Sequence, residues 1–291
     1  MRQADYVLQE RLNLLEYALE HYDDGLLFFY FSSTDMQSHM LWWNTAEKHP
    51  YRSTAEAEKY FRHIQKLYIR MDAVVGDLLE RYGETAHIMV MSDHGFANFK
   101  RQFNLNTWLR DNGYLGPPDC TSILTDVEWS RSRAYGLGMN GLYLNMIGRE
   151  RYGCVNPGQE REQLLQELTS KLEAVHDFDG RRVIRKVRRA DTLYSGSALY
   201  YAPDLIVGYC RDFRYSWKTA LGGMTDEILL DNESAWAADH CMDASEVPGV
   251  LFSNRPIAVP NPSLVDLAPS ILTEFGLTIP STMTGRNVFK V

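Results

Sequence analysis

Cysteine is scarce in this sequence. There are four in 291 residues, Cys120, Cys154, Cys210 and Cys241, and none forms a CxxC pair. That argues against a disulfide framework and against a cysteine zinc site, and it fits a reducing compartment. No apolar run approaches the roughly 20 residues of a membrane-spanning helix. No secretory leader is visible, and there is no internal repeat or low-complexity tract. Excess positive charge is missing as well: the formal net charge is -8, which speaks against a surface built to hold a nucleic-acid polymer. A cytoplasmic location is the expectation. It stays open to one reservation: Met1 to Asp5 lead straight into a helical pattern, as an upstream targeting segment would leave it. What remains is an ordinary globular composition, 45% hydrophobic, sufficient for a substantial core and long enough for one large α/β domain or two smaller ones.

The most informative stretch is HIMVMSDHGF, His87 to Phe96. Ile88 to Met91 form a short apolar run of the type that makes a buried strand. It breaks off into Ser92-Asp93-His94-Gly95, so a carboxylate and an imidazole stand together at the strand's carboxyl end, before a glycine that permits a sharp turn. Ligands of open α/β sheets sit outside the carboxyl ends of strands. A hard oxygen beside a borderline nitrogen, with no thiolate, suits a divalent ion.

Leu8, Leu12, Leu15 and Leu19 recur at helical steps and predict an amphipathic helix over Ala4 to His21, ended by Asp23-Asp24-Gly25. Leu26 to Phe31 (LLFFYF) reads as a second buried strand. It leads into Ser32-Ser33-Thr34-Asp35, residue types that start helices. Asp35 and His39 are four apart, which on a helical turn places both on one face. Tyr51 to Tyr82 reads as a long helix with the apolar stripe Tyr60, Ile64, Leu67, Met71, Val74 and Leu78. Strand, helix and the strand at Ile88 together predict a right-handed parallel crossover. Its two strands would then end in Asp and His at the same sheet edge. Phe103 to Tyr114 predicts a short helix closed by Asn112-Gly113, and Pro117-Pro118 marks a break.

Three segments are expected: residues 1–118 as the core carrying two Asp/His pairs, 119–235 as a mixed region, partly sheet and partly cap, and 236–291 as the return to the core. In the middle region Gly141 to Met146 and Asp204 to Tyr209 read as strands, Gln159 to Val175 as a helix, and Asp177 to Ala190 as basic and turn-rich. In the last, Asp239-His240 precedes the apolar run Pro248 to Ser253. Asp266 to Phe275 reads as a helix with Gly276 as C-cap, and Pro280 to Phe289 is a tail containing Gly285-Arg286.

Asp35, His39, Asp93, His94, Asp239 and His240 thus form three acid/His clusters, which suit a pair of divalent ions roughly 3.5–4 Å apart working on a phosphorus centre. Asp239 is either a ligand or the acid that orients His240 from behind. His21, His49, His63, His87 and His176 lack a matched acid and read as structural. Cys241 reads as a small buried residue, and Arg181 to Arg189 as a basic strand more than an anion site.

Taken together, STDMQSH, MSDHGF, FNLNTWLRDNGYL, APDLIVGY, DHCMDASEVPGVLF and DLAPSILTEFGLTIPSTMTGR are similar, in order and spacing, to the type I phosphodiesterase/nucleotide pyrophosphatase branch of the alkaline phosphatase superfamily, from about Leu26 to the C-terminus. The resemblance implies an α/β fold, a doubly wound, mostly parallel sheet with helices on both faces, here incomplete at the N-terminus and carrying the cap-like insertion. It implies two divalent ions, zinc foremost with manganese or magnesium as alternatives. Asp35, His39 and His240 would hold one ion, and Asp93 and His94 the other. It further implies hydrolysis of a phosphate ester through a phosphorylated Thr or Ser. The family's opening strand, with its metal-binding Asp and nucleophile, is not found before Leu26, and Thr34 is too tied to the Asp35 turn to replace it. The chain is therefore expected to be the C-terminal part of such an enzyme, impaired alone, prone to self-association or completed by a missing N-terminal half, and acting on a small phosphorylated substrate. A phosphomonoesterase, a phosphonate hydrolase and a phosphoglycerate-mutase-like enzyme on the same scaffold stay open, as does a non-catalytic metal-binding remnant. A sulfatase is disfavoured, since no oxidisable Cys or Ser motif is visible.

Overall fold

A computed structural model describes residues 1–43, 48–117 and 123–289. Cys120 and Pro118 lie outside the described residues. In chain order the elements are α1 (Arg2–Glu20), α2 (Ser32–Leu41), α3 (Thr54–Tyr82), β1 (Met89–Met91), β2 (Ala97–Phe103) and α4 (Leu105–Asp111). There follow β3 (Ala134–Gly136), β4 (Gly141–Leu144), α5 (Gln159–Glu173), β5 (Ile184–Arg189), α6 (Ala190–Leu193), β6 (Leu205–Tyr209), β7 (Asp212–Tyr215), α7 (Trp217–Ala220), β8 (Leu229–Asp231), β9 (Ala238–Asp239), β10 (Leu251–Ser253) and α8 (Leu267–Glu274). The chain divides into two compact units, one of Met1–Ile64 with Phe96–Val247, the other of Gln65–Gly95 with Pro248–Val291. The first draws on all three segments expected from the sequence, the second on the first and last.

The first unit contains two four-stranded sheets. One has the order β3-β4-β6-β5, with every pairing antiparallel. Its hairpin turns through Gly138 and Asn140, both at positive φ, a conformation that glycine and asparagine reach most easily. Leu164, Leu165, Leu168 and Leu172 line the buried face of α5 and join Val183, Ile184, Val187, Leu205 and Val207 in the main core. The other sheet is built on β2, flanked by β7 in parallel and by β8 and β9 antiparallel. Its apolar positions Phe99, Phe103, Phe213 and Tyr215 are all buried.

Two expectations are corrected here. The run Leu26 to Phe31 belongs to no strand: it is extended, and Leu26, Phe28 and Tyr30 are exposed. Apolar composition marks residues that suit a strand, but a strand exists only where a neighbour pairs with it, and none does among the described residues. The predicted crossover therefore does not form as a strand–helix–strand unit; β1 pairs with β10, antiparallel. The sheets are also not mostly parallel among the described residues: β2 with β7 is parallel, and the other named pairings are antiparallel. Close sequence neighbours joined by tight turns can pair only antiparallel, as β3 and β4 do.

The long helix starts at Thr54, three residues later than the Tyr51 expected from the sequence, and Ser53 and Glu56 form a reciprocal cap there. Glu56 Oε2 accepts from Ser53 N–H at 3.1 Å, and Ser53 Oγ accepts from Glu56 N–H at 3.3 Å. Just before it, His49 lies tilted against Trp43, ring centroids 4.1 Å apart, and accepts the Tyr51 and Arg52 N–H groups on Nδ1, both at 2.9 Å.

In the second unit, β1 pairs with β10, and α8 ends as predicted, with Gly276 at positive φ just past its last turn. The Gly285-Arg286 pair has a local cause. A Cβ at residue 285 would run into the Val265 carbonyl, and Arg286 N–H donates to Asp266 Oδ1 at 2.9 Å.

His49 makes one consequence measurable. Burial, with Arg52 beside it, lowers its pKa to about 4. Between about pH 6.5 and 4 the unfolded chain takes up a proton that the folded chain refuses, so the His49 contribution is full above 6.5 and fades as pH falls through that window. Urea unfolding at pH 7 and pH 4.5 should show a loss of roughly 2–3 kcal/mol from this residue. His49→Asn can accept the same two N–H groups without titrating, and it should flatten that part of the profile.

Candidate metal centre

The site begins with α2. Phe31 precedes it in extended conformation, and Asp35 falls in its first turn, where a carboxylate complements the helix dipole. The four-residue spacing brings Asp35 and His39 onto one face as the sequence predicts, with His39 Nε2 3.6 Å from Asp35 Oδ1. The helix is fastened to the segment around β9. Ala237 N–H donates to His39 O at 2.8 Å, and buried Trp43, Ala57 and Ala237 cluster below it. His63 Nε2 and Gln37 Oε1, 2.9 Å apart, tie α2 to the start of α3.

β9 then delivers the third residue. It pairs with β2 in the register Ala97↔Asp239 and Asn98↔Ala238, and His240 follows at its end. His240 Nε2 lies 3.8 Å from the same Asp35 Oδ1. One ligand atom from each of Asp35, His39 and His240 falls within 4.8 Å of the others. His39 is buried and the other two are partly exposed. The orientation of His39 is set from behind: its Nδ1 sits 3.0 Å from Ala238 O, which can only accept, so Nδ1 carries the proton and the Nε2 lone pair points toward Asp35. One carboxylate oxygen and two imidazole nitrogens converging in this way form a donor set that fits a zinc-like ion.

Aromatic side chains wall the two imidazoles. Trp236 stacks on His39 at 3.9 Å, and Phe96 meets His39 edge-on at 4.9 Å and His240 at 5.5 Å. Sequence reasoning assigned neither a role. Phe96 was visible as the last residue of MSDHGF, but its target was not, and no spacing signal marks Trp236.

Asp239 faces away from that convergence. Its Oδ1 accepts from the His240 and Cys241 N–H groups at 2.8 and 3.0 Å, and its Oδ2 accepts from Trp236 Nε1–H at 2.8 Å and lies 2.9 Å from Arg214 Nε. Burial works to raise the Asp239 carboxyl. Arg214, the Cys241 N–H, the Trp236 indole and His39 outweigh it and hold the group below the usual carboxylate range. Asp239, His240 and Cys241 make a second close grouping. Burial and the Asp239 carboxylate push the Cys241 thiol up to about 12, so at neutral pH it stays a thiol, which is a poor ligand.

Asp93 and His94 belong to the second unit, in the turn after β1. Their side chains stay together: His94 Nε2 is 3.5 Å from Asp93 Oδ1, the His94 N–H donates to the same oxygen at 3.1 Å, and His94 Nδ1 is 3.1 Å from Gly95 O. The Asp93 side chain is largely exposed.

The remaining histidines have structural partners. His21 bonds and stacks within α1, His87 meets Ser253 Oγ and Glu274, and His176 meets Ala174 O. The basic run is neutralised more than solvated: Arg181 pairs with Asp179 and Asp212, Arg188 with Asp243, and Arg189 with Glu162 and Asp191. Thr34 donates its hydroxyl to Phe31 O at 3.2 Å, within the turn that starts α2.

Among the described residues no helix is long and apolar enough to cross a membrane. A comparison with curated proteins found no match. The family model described as type I phosphodiesterase / nucleotide pyrophosphatase matches residues 2–223. That stretch starts earlier than the motif resemblance, taking in α1, and stops before Asp239 and His240; it contains Asp35, His39, Asp93 and His94. A match over so much of the chain, with Asp35 and His39 inside it and already facing His240, leaves one conclusion: the chain belongs to the type I phosphodiesterase / nucleotide pyrophosphatase family.

Proposed function

We propose that Asp35, His39 and His240 hold a divalent ion, zinc foremost, and that this ion serves the hydrolysis of phosphate esters, with phosphodiesters or nucleotide pyrophosphates as the substrate class. The observation that carries the reading is the convergence of His39 Nε2 and His240 Nε2 on one oxygen of Asp35, although the two histidines are some 200 residues apart in the chain. A bound ion would supply Lewis-acid polarisation of a phosphoryl oxygen and charge stabilisation in the displacement. The protein's part is orientation. The Ala238 carbonyl fixes the His39 tautomer, Asp239 fixes the peptide that carries His240, and Phe96 and Trp236 limit the motion of the rings and screen them from water.

Asp93 and His94 are proposed as the ligands of a second ion. Two neutral-to-anionic donors with a largely exposed carboxylate make a weaker holder than the triad, because an exposed site keeps competing water and binds with less preorganisation. No nucleophilic Thr or Ser is assigned in this chain. The 291-residue chain by itself is therefore proposed to bind one ion firmly and a second poorly, and to turn over slowly.

Two outcomes follow. In equilibrium dialysis with zinc, the chain should retain close to one ion per molecule. His39→Ala and Asp35→Asn should each weaken binding by more than the roughly 10–100-fold lost when a partner behind the ligands is removed. Retention of one tight ion by both variants would sink the triad. In assays with bis-(p-nitrophenyl) phosphate and zinc, the chain alone should show slow or no turnover; rapid hydrolysis would overturn the proposed impairment while leaving the hydrolase reading standing.

A further inference from the structure

Arg214 on β7 is fully buried, an expensive place for a guanidinium. Its cation is met by Asp239, with Nε 2.9 Å from Oδ2. Nη1 donates to the Tyr215 carbonyl at 3.2 Å, while Nε and Nη2 make no hydrogen bond among the described residues, so the link to Asp239 is an ion pair. The rest of its surroundings is aromatic, with ring centroids at 4.0 Å for Trp217, 4.4 Å for Phe99 and 4.7 Å for Tyr215. Three strands are involved. β2 lies between β7 and β9, and the Arg214 side chain passes over Phe99 of β2 to reach Asp239 of β9.

Packing alone gives no reason for this arrangement, since an apolar side chain of similar length would fill the space between three rings at lower cost. What the ion pair does is hold one carboxylate still. Asp239 accepts three hydrogen bonds, from the peptide N–H of His240, the N–H of Cys241 and the indole N–H of Trp236, and forms an ion pair with the Arg214 guanidinium. Two of these lead to the proposed ligands. The His240 N–H sets the peptide from which that imidazole projects, and Trp236 is the ring stacked on His39 at 3.9 Å. One carboxylate thus governs both imidazoles by separate routes, and Arg214 is the group that fixes its Oδ2 edge.

We propose that Arg214 is a positioning residue of the metal centre: by anchoring Asp239 across β2, it sets the backbone of His240 and, through Trp236, the ring of His39. This rests on the triad as the ion site. Without the anchor the Asp239 carboxylate can rotate toward its N–H partners, Trp236 loses its acceptor, and the two imidazoles no longer share one preset geometry.

The test is zinc affinity, measured by competition with a chromophoric chelator on the purified chain, with folding followed by circular dichroism. Wild type and His240→Ala come first: no binding by wild type, or wild-type binding by His240→Ala, fails the triad itself and leaves Arg214 nothing to position. Given a working triad, Arg214→Met should weaken zinc by roughly 10–100-fold, and Arg214→Lys, which restores a cation, should recover part of that loss. Methionine suits the aromatic packing better than lysine does, so a purely structural role predicts the reverse order. Arg214→Met binding within threefold of wild type, or more tightly than Arg214→Lys, overturns the proposal. If Arg214→Met alone does not fold, because it strands a buried carboxylate, the double variant Arg214→Met/Asp239→Leu removes both charges together, a replacement that buried ion pairs commonly tolerate. The double variant should fold and lose at least tenfold in zinc affinity. Unchanged affinity, or failure to fold with the charges gone, marks the pair as structural and overturns the positioning role.

Discussion

The short ladder between β2 and β9 and the attachment of α2 to it are what the candidate site depends on. β9 has two residues, paired at two positions on β2, with one further backbone bond from Phe99 N–H to Ala237 O. Yet Ala237 gives its N–H to the carbonyl of His39, the Ala238 carbonyl accepts from the His39 ring Nδ1–H, and Asp239 holds the peptide of His240. Three successive residues therefore each fix one feature of the same centre. Moving this strand by one position would reverse which side chains face inward, because strand periodicity is two. The isolated ladder is too short to resist that by itself. The buried packing of Trp43 on Ala237 and the cross-strand reach of Arg214 supply further restraint.

The two carboxylates beside His240 differ in their surroundings. Asp35 and Asp239 are both carboxylates near His240, and chemistry alone would let either bind an ion. The difference lies in what already occupies them. Asp239 is enclosed by three hydrogen-bond donors and the Arg214 cation, while Asp35 has an oxygen near two imidazole Nε2 atoms. In the proposed site, Asp35 is the carboxylate that would face the ion and Asp239 the one that steadies the scaffold. Acids likewise hold the end of the basic strand: Arg188 of β5 pairs with Asp243, and Arg189 with Glu162 and Asp191.

The architecture around the centre is more antiparallel than a doubly wound sheet. The hairpin of β3 and β4 and the pairing of β5 with β6 build a sheet whose inner face is closed by α5, and the leucines of that helix give the first unit its main core. The parallel pairing of β2 with β7 places Arg214 one strand away from β9. Fold and site are thus linked through β2, which is shared by the ladder carrying the proposed ligands and the strand carrying their anchor.

Periodicity and local spacing were enough to read several features directly from the sequence. The helices at Gln159 and Leu267, the glycine that ends α8 and the common face of Asp35 and His39 all depend on residues within a few positions of one another. The grouping of His240 with Asp35 and His39 was legible only through the family resemblance carried by the ordered set of motifs, since nothing local to Asp239-His240 says where it will fold. The apolar run at Leu26 misled for the opposite reason: its composition suits a strand, but pairing is a property of the neighbour, and the run finds none among the described residues. The direction of the sheets, the division of labour between Asp35 and Asp239, the stacking of Trp236 on His39 and the burial of Arg214 were decided by tertiary structure alone. Each is a contact between segments far apart in the chain, and no local pattern of side chains encodes which distant surface will meet it.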